Sequence, residues 1–99
     1  MLTKNEILEY LSINKELFKQ NFNIIKIGLF GSFARDEQTE NSDIDIIIEM
    51  ETDTQQIFEK RMELKKTVKN YFHKEVDVCH ARAIKPVFKN FILNEVIYV

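Results

Sequence analysis

The chain has 99 residues, 44% of them hydrophobic and 30% charged, with one Pro and two Gly. That is the length and mix of one globular domain over residues 1–99, and it excludes a disordered chain or a long flexible linker. A formal charge of -2 argues against a general DNA-binding surface, and no apolar run approaches the roughly 20 residues that cross a bilayer.

The opening segment, MLTKNEILEYL, carries early acidic residues and no small-residue cleavage site, so a signal peptide is not expected. Thr3 and Glu6 have capping-box spacing, and Leu2 and Ile7 have the spacing of a hydrophobic staple. Ile7, Leu8, Leu11, Phe18 and Phe22 recur at helical intervals, with a break expected between Ser12 and Asn14. Residues 24–30, IIKIGLF, read as a buried strand. Gly31-Ser32 closes it, and Ser32 to Glu37 is expected to form a short helix with Ser32 at its N-terminus. Glu37 to Ser42 is polar and reads as a loop.

Asp43 to Met50 is expected to be the second strand. Alternation puts Ile44, Ile46 and Ile48 on one face and Asp43, Asp45, Ile47 and Glu49 on the other. Residues 54–73 show a helical stripe of Ile57, Phe58, Met62, Leu64, Val68, Tyr71 and Phe72. Lys65, Lys66, Lys69 and Lys74 suit its C-terminal end and read as a solvated face. Glu75 to His80 is a third strand, with Glu75, Asp77 and Cys79 on one face. The single Cys79 has no internal disulfide partner, which fits a reducing cytoplasm. It reads as a small buried apolar residue, and His73 and His80 as helix-end and loop residues. Pro86 suits the first turn of a last helix, 86–94, and the closing VIYV reads as a short extra strand. The order predicts a small α/β (α+β) sandwich, a mixed sheet of three to four strands flanked by helices.

Asp43 and Asp45 share a face about 6–7 Å apart. At an effective dielectric near 20 they repel by roughly 2–3 kcal/mol. If the third strand lies beside the second, Asp77 joins them, and a divalent cation would relieve the repulsion. Oxygen ligands without His favour Mg²⁺ or Mn²⁺ over zinc. Gly31 lets a phosphate approach the backbone, and Ser32 offers a hydroxyl at a helix start. A phosphate cradle beside a carboxylate-held metal is apparatus for binding a nucleoside triphosphate and transferring its nucleotidyl group. Arg35 is assigned a local, orienting ion pair with Asp36, Glu37 or a site aspartate ahead of direct phosphate contact. Arg82 and Lys85 are weaker phosphate candidates.

Gly31-Ser32-Phe33-Ala34-Arg35, then Ser42-Asp43-Ile44-Asp45, then Val76-Asp77-Val78, resemble the GSxAR…SDxD…hDh pattern of the polymerase β-like nucleotidyltransferases. The pattern is most similar to the minimal nucleotidyltransferase (MNT) antitoxins of HEPN/MNT toxin–antitoxin pairs. The resemblance implies the nucleotidyltransferase fold, with Gly31 and Ser32 on the triphosphate, Asp43, Asp45 and Asp77 on Mg²⁺, and Asp77 helping to deprotonate the acceptor. It also implies ATP as substrate, AMP transfer to a tyrosine of a helical HEPN toxin, and assembly with that partner or with further copies. Two alternatives stand beside this: an antitoxin that acts by occlusion without chemistry, and the nucleotide-binding subunit of a two-chain small-molecule nucleotidyltransferase. One position departs from the pattern. Asp36 stands where the family usually has Gly; it tolerates a left-handed turn better than most residues, and its charge is expected to weaken nucleotide binding.

Overall fold

The computed structural model describes residues 1–99. Helix α1, Lys4–Ile13, begins with the expected capping box: Glu6 N–H donates to Thr3 Oγ1, and Thr3 N–H donates to Glu6 Oε1. Asn14 ends α1, and α2 follows over Lys15–Phe22. Asn23, at φ 60°, turns the chain into β1, Ile24–Phe30. A single helical turn, α3, covers Gly31–Ala34. After the loop come β2, Ile44–Met50; α4, Ile57–Phe72; β3, Val76–His80; and a 3₁₀ turn over Ala81–Ala83. Helix α5, Pro86–Glu95, has Pro in its first turn, and β4, Ile97–Tyr98, is the expected extra strand.

The four strands lie in the order β3-β2-β1-β4. β1 is antiparallel to both β2 and β4, whereas β2 and β3 are parallel. Parallel neighbours need a crossover, and α4 supplies it. One sheet face holds the core. Ile27, Leu29, Ile44, Ile46, Ile48, Val76 and Val78 are buried there with Ile7, Leu11 and Phe18 from the first two helices and Leu64 and Val68 from α4. The opposite face carries Asp45 and Asp77. The chain's end reaches that sheet because Gly28 makes room. A Cβ on Gly28 would lie 2.7 Å from Val96 Cγ1 and 2.9 Å from Tyr98 Cδ1.

Several expectations shift. α3 starts at Gly31, with Phe30 as its cap, so Ser32 is inside the turn and not at its N-terminus. Asp43 precedes β2 by one residue. α4 starts at Ile57, because Thr54 is tied back to Glu51 O through its N–H and Oγ1. Its stripe is only partly buried: Leu64 and Val68 are covered, while Ile57, Phe58, Met62 and Tyr71 remain exposed. Periodicity reports which side of a helix is apolar, not how many turns have sheet beneath them. His80 is not a loop residue. It ends β3, is buried, and its ring lies between the N–H groups of Met50 and Arg82. His73 is a helix-end residue as expected, at φ 56° after α4.

Candidate active site

The site forms where β1 runs into α3 and the starts of β2 and β3 lie side by side. Glu75 O accepts the Ile44 N–H at 2.9 Å and aligns the two parallel strands. Ile44 then pairs with Val76 and Asp45 with Asp77. Residues in register on neighbouring strands point to the same face, so Asp77 joins Asp45 as expected. Asp43 follows a loop fastened from two directions. Ser42 Oγ accepts the Thr39 N–H at 2.8 Å. Lys74 Nζ donates to the carbonyls of Glu40 and Ser42, at 2.8 and 3.1 Å. Lys74 is therefore a strut for this loop and no part of a merely solvated face.

Asp45 is half-buried, and Asp43 and Asp77 are exposed. Burial, first, and the charges of Asp77, Asp43 and Glu95 push the Asp45 carboxyl up to about 6; Arg35 opposes them. That is the electrostatic signature of a place short of positive charge. No three His, Cys, Asp or Glu side chains already form a metal cage. An incomplete set of carboxylate oxygens with no His suits Mg²⁺, which keeps several positions for water and substrate phosphates. The donor type is thus the one such a cation takes, although the three side chains as placed do not make a cage.

Gly31 is required here for a reason the sequence does not display. Its φ is +77°, and a Cβ would run into the Asp45 carboxylate. Glycine thus lets the turn lie directly against the acidic group. The Gly31 N–H donates to Glu95 Oε1 at 3.1 Å. Arg35 makes the expected orienting ion pairs, one with the expected Glu37 and one with an unforeseen partner: Nε donates to Glu37 Oε2 at 3.2 Å and Nη1 to Glu95 Oε2 at 2.7 Å. These bonds hold the guanidinium further toward its charged form, Glu95 contributing most. Asp36 adopts the left-handed conformation, φ 58°, and its carboxylate pairs with Lys4 of α1 at 2.9 Å. Its charge has a partner of its own.

The other candidates fall elsewhere. Arg82 lines a cleft of about 230 Å³ with Lys26, Glu49, Lys89 and Tyr98, apart from the three aspartates. Lys85 is exposed at the N-cap of α5. Cys79 is half-buried beside Asp77; burial, then Asp77, pushes its thiol up, so it behaves as a packed side chain. Glu95 goes unread in the sequence, and Lys74 reads there only as part of a solvated face. The one signal for Glu95 is a lone acidic residue in the apolar segment FILNEVIYV.

Comparison with known proteins supplies a family and relatives. The family described as Polymerase beta, Nucleotidyltransferase matches residues 13–99. A Methanocaldococcus jannaschii protein, MJ1379, named provisionally as a protein adenylyltransferase, is 37% identical over 100 residues, covering all of both chains. The protein adenylyltransferase MntA of Thermococcus cleftensis is 32% identical over 99 residues, covering all of this chain and 98% of its own. A crystal structure of a toxin–antitoxin with AMP-PNP superposes with a TM-score of 0.69 at 26% identity, over 98% of this chain and 72% of that one.

Proposed function

The chain belongs to the polymerase β nucleotidyltransferase family, and from that premise we propose that it moves AMP from ATP to a hydroxyl of a partner protein. The partner proposed is a helical HEPN-type toxin, the acceptor is a tyrosine, and the transfer silences the toxin. The observation that carries this reading is the pairing of Asp45 with Asp77 on parallel strands, with Asp43 at the strand mouth and Gly31 packed against Asp45. The adenylyltransferase relative and the AMP-PNP-bound toxin–antitoxin structure support it.

In this reading Gly31 and Ser32 receive the triphosphate, and Arg35 orients the turn. Asp43, Asp45 and Asp77 are the ligands for Mg²⁺ or Mn²⁺. Bound there, such a cation neutralises triphosphate charge and stabilises the departing pyrophosphate. Asp77, exposed to an incoming chain, accepts the proton of the acceptor hydroxyl. The hydroxyl oxygen bonds to the α-phosphorus, the bond from that phosphorus to the β-bridging oxygen breaks, and pyrophosphate leaves. In this reading the acceptor hydroxyl is carried by the partner polypeptide, which approaches the exposed Asp77.

The test is incubation of wild type with labelled ATP, Mg²⁺ and the folded partner. Wild type should label the partner. Asp43→Ala and Asp45→Ala should lower transfer by at least about a hundredfold while remaining folded, since each removes a group on which transition-state charge stabilisation depends. Absence of transfer by wild type would defeat the reading. One feature favours occlusion as a second reading: Val87, Phe88 and Phe91 are 78%, 55% and 66% exposed on α5, an apolar face able to seat a partner without chemistry. Neutralisation of the toxin in cells by Asp45→Ala would select occlusion.

A further inference from the structure

A four-residue helix does not hold its own shape, because nucleation of a first turn costs more than its one hydrogen bond returns. α3 closes just such a turn, with Arg35 N–H donating to Gly31 O. Its geometry must therefore be imposed by its surroundings. β1 holds the entry side. Glu95 holds both ends together: one carboxylate oxygen takes the Gly31 N–H at 3.1 Å and the other takes Arg35 Nη1 at 2.7 Å. The Glu95 side chain is only 14% exposed, so it is a seated group and not a surface arm.

What seats it is the end of the chain. Glu95 is the last residue of α5, and β4 begins two residues later, paired to β1 through Gly28–Tyr98 and Leu29–Ile97. Val96 and Tyr98 pack over the bare backbone of Gly28. The carboxylate thus reaches Gly31 from a segment fixed to the strand that leads into Gly31. Glu37 meanwhile takes Arg35 Nε, which sets the guanidinium plane. The Gly31 side of the turn lies against Asp45 with no space for a Cβ. A loosened turn would therefore disturb the boundary between the phosphate side and the carboxylate side of the site.

We propose that Glu95 is a positioning residue for the nucleotide site, clamping Gly31 and Arg35 so that the turn is already shaped to receive the triphosphate. This rests on the reading of the site as a nucleotide site. The clamp is not catalytic, since it acts on the turn and not on the reacting atoms. It makes a kinetic prediction that a general loss of stability does not: ATP recognition suffers while the chemical step, once ATP is bound, largely survives.

The experiment uses the full chain with Glu95→Ala and Glu95→Gln. Glu95→Ala should raise KM for ATP, with Mg²⁺, by about tenfold or more, the scale expected for lost charge-assisted hydrogen bonds. At saturating ATP kcat should change less than about threefold. Glu95→Gln retains one acceptor oxygen and should fall between. Combining Glu95→Ala with Arg35→Ala should add little, because the two side chains act as one unit. Amide exchange without nucleotide should speed up at residues 31–35 in both single variants while β2 keeps its protection. An unchanged or lower KM in Glu95→Ala would overturn the proposal; a lower one would mean the carboxylate competes with the triphosphate. If wild type binds no ATP, the nucleotide reading itself fails, and unchanged exchange at Gly31 in both variants would separately remove the clamp.

Discussion

Asp45 sits half-buried among Asp77, Asp43 and Glu95, and the cost of its charge can be measured without any substrate. Its carboxyl is pushed up to about 6 in the folded chain, against about 3.9 for an unhindered aspartate. A raised folded value means that the fold binds the proton more tightly than the unfolded chain does. Above pH 6 the ionised group works against the fold, and the burden is relieved as pH falls through 6 toward 4. Asp45→Asn should therefore be more stable than wild type at pH 7–8, by about 1 kcal/mol after allowance for solvent screening. The advantage should vanish below pH 4. Thermal melts of both proteins from pH 4 to 8, without Mg²⁺, decide it; a pH-independent difference would show that Asp45 carries no such burden. Asp36 teaches the opposite lesson. Its charge threatens the phosphate cradle on paper, but the left-handed backbone and Lys4 give it a local role. Which way a charged side chain acts depends on its partner, and that partner is 32 residues away in sequence.

Among the elements, the shortest have the largest consequences. β4 is two residues long and would not persist alone, yet it anchors the segment that delivers Glu95. Its seat is Gly28. Gly28→Ala would bring a Cβ to 2.7 Å from Val96 and 2.9 Å from Tyr98, with the Ile97 carbonyl at 3.1 Å. Relief requires β4 to move, so the variant should lose about 1–3 kcal/mol, as overpacked sites do. Denaturant midpoints at constant slope measure that loss, and a midpoint equal to wild type would refute the tight seating. The longest helix contributes differently. α4 buries only Leu64 and Val68 on the sheet, while its C-terminal end stacks Tyr71 on Tyr10 of α1 at 4.2 Å between ring centroids. Beyond it, Lys74 reaches the loop before Asp43. The crossover helix thus both orders the parallel strands and steadies the approach to the site.

Over the whole molecule, the sheet separates two tasks. One face is sealed by α1, α2 and α4 into the core, and the other presents acidic groups near an exposed apolar helix, α5. No helix is long and apolar enough to cross a membrane. A cation with a nucleotide across the acidic face should stabilise the fold by mass action. ATP with Mg²⁺, each at about a hundred times its dissociation constant, should contribute about 2.7 kcal/mol. That corresponds to a melting-temperature rise of roughly 10 °C or more for a domain of this size. Wild type should show the rise and Asp43→Ala should not. An unshifted wild type at millimolar ATP and Mg²⁺ would count against an intact nucleotide site.

The local chemistry was written in the amino-acid order. The capping box at Thr3 and Glu6 and the strand alternation that sets Asp45 opposite Ile44 and Ile46 depend on neighbours within a few residues, so periodicity and residue type suffice to find them. The family pattern likewise joined Gly31, Asp43, Asp45 and Asp77 before any coordinates did. Folding in three dimensions decided the rest: that β3 lies against β2 in the register matching Asp77 to Asp45, that Lys74 holds the Asp43 loop, and that Glu95 closes on Gly31 from 64 residues away. Those contacts join segments whose separation along the chain leaves no periodic trace. Their energies depend on burial and on charges brought together only when the sheet is complete.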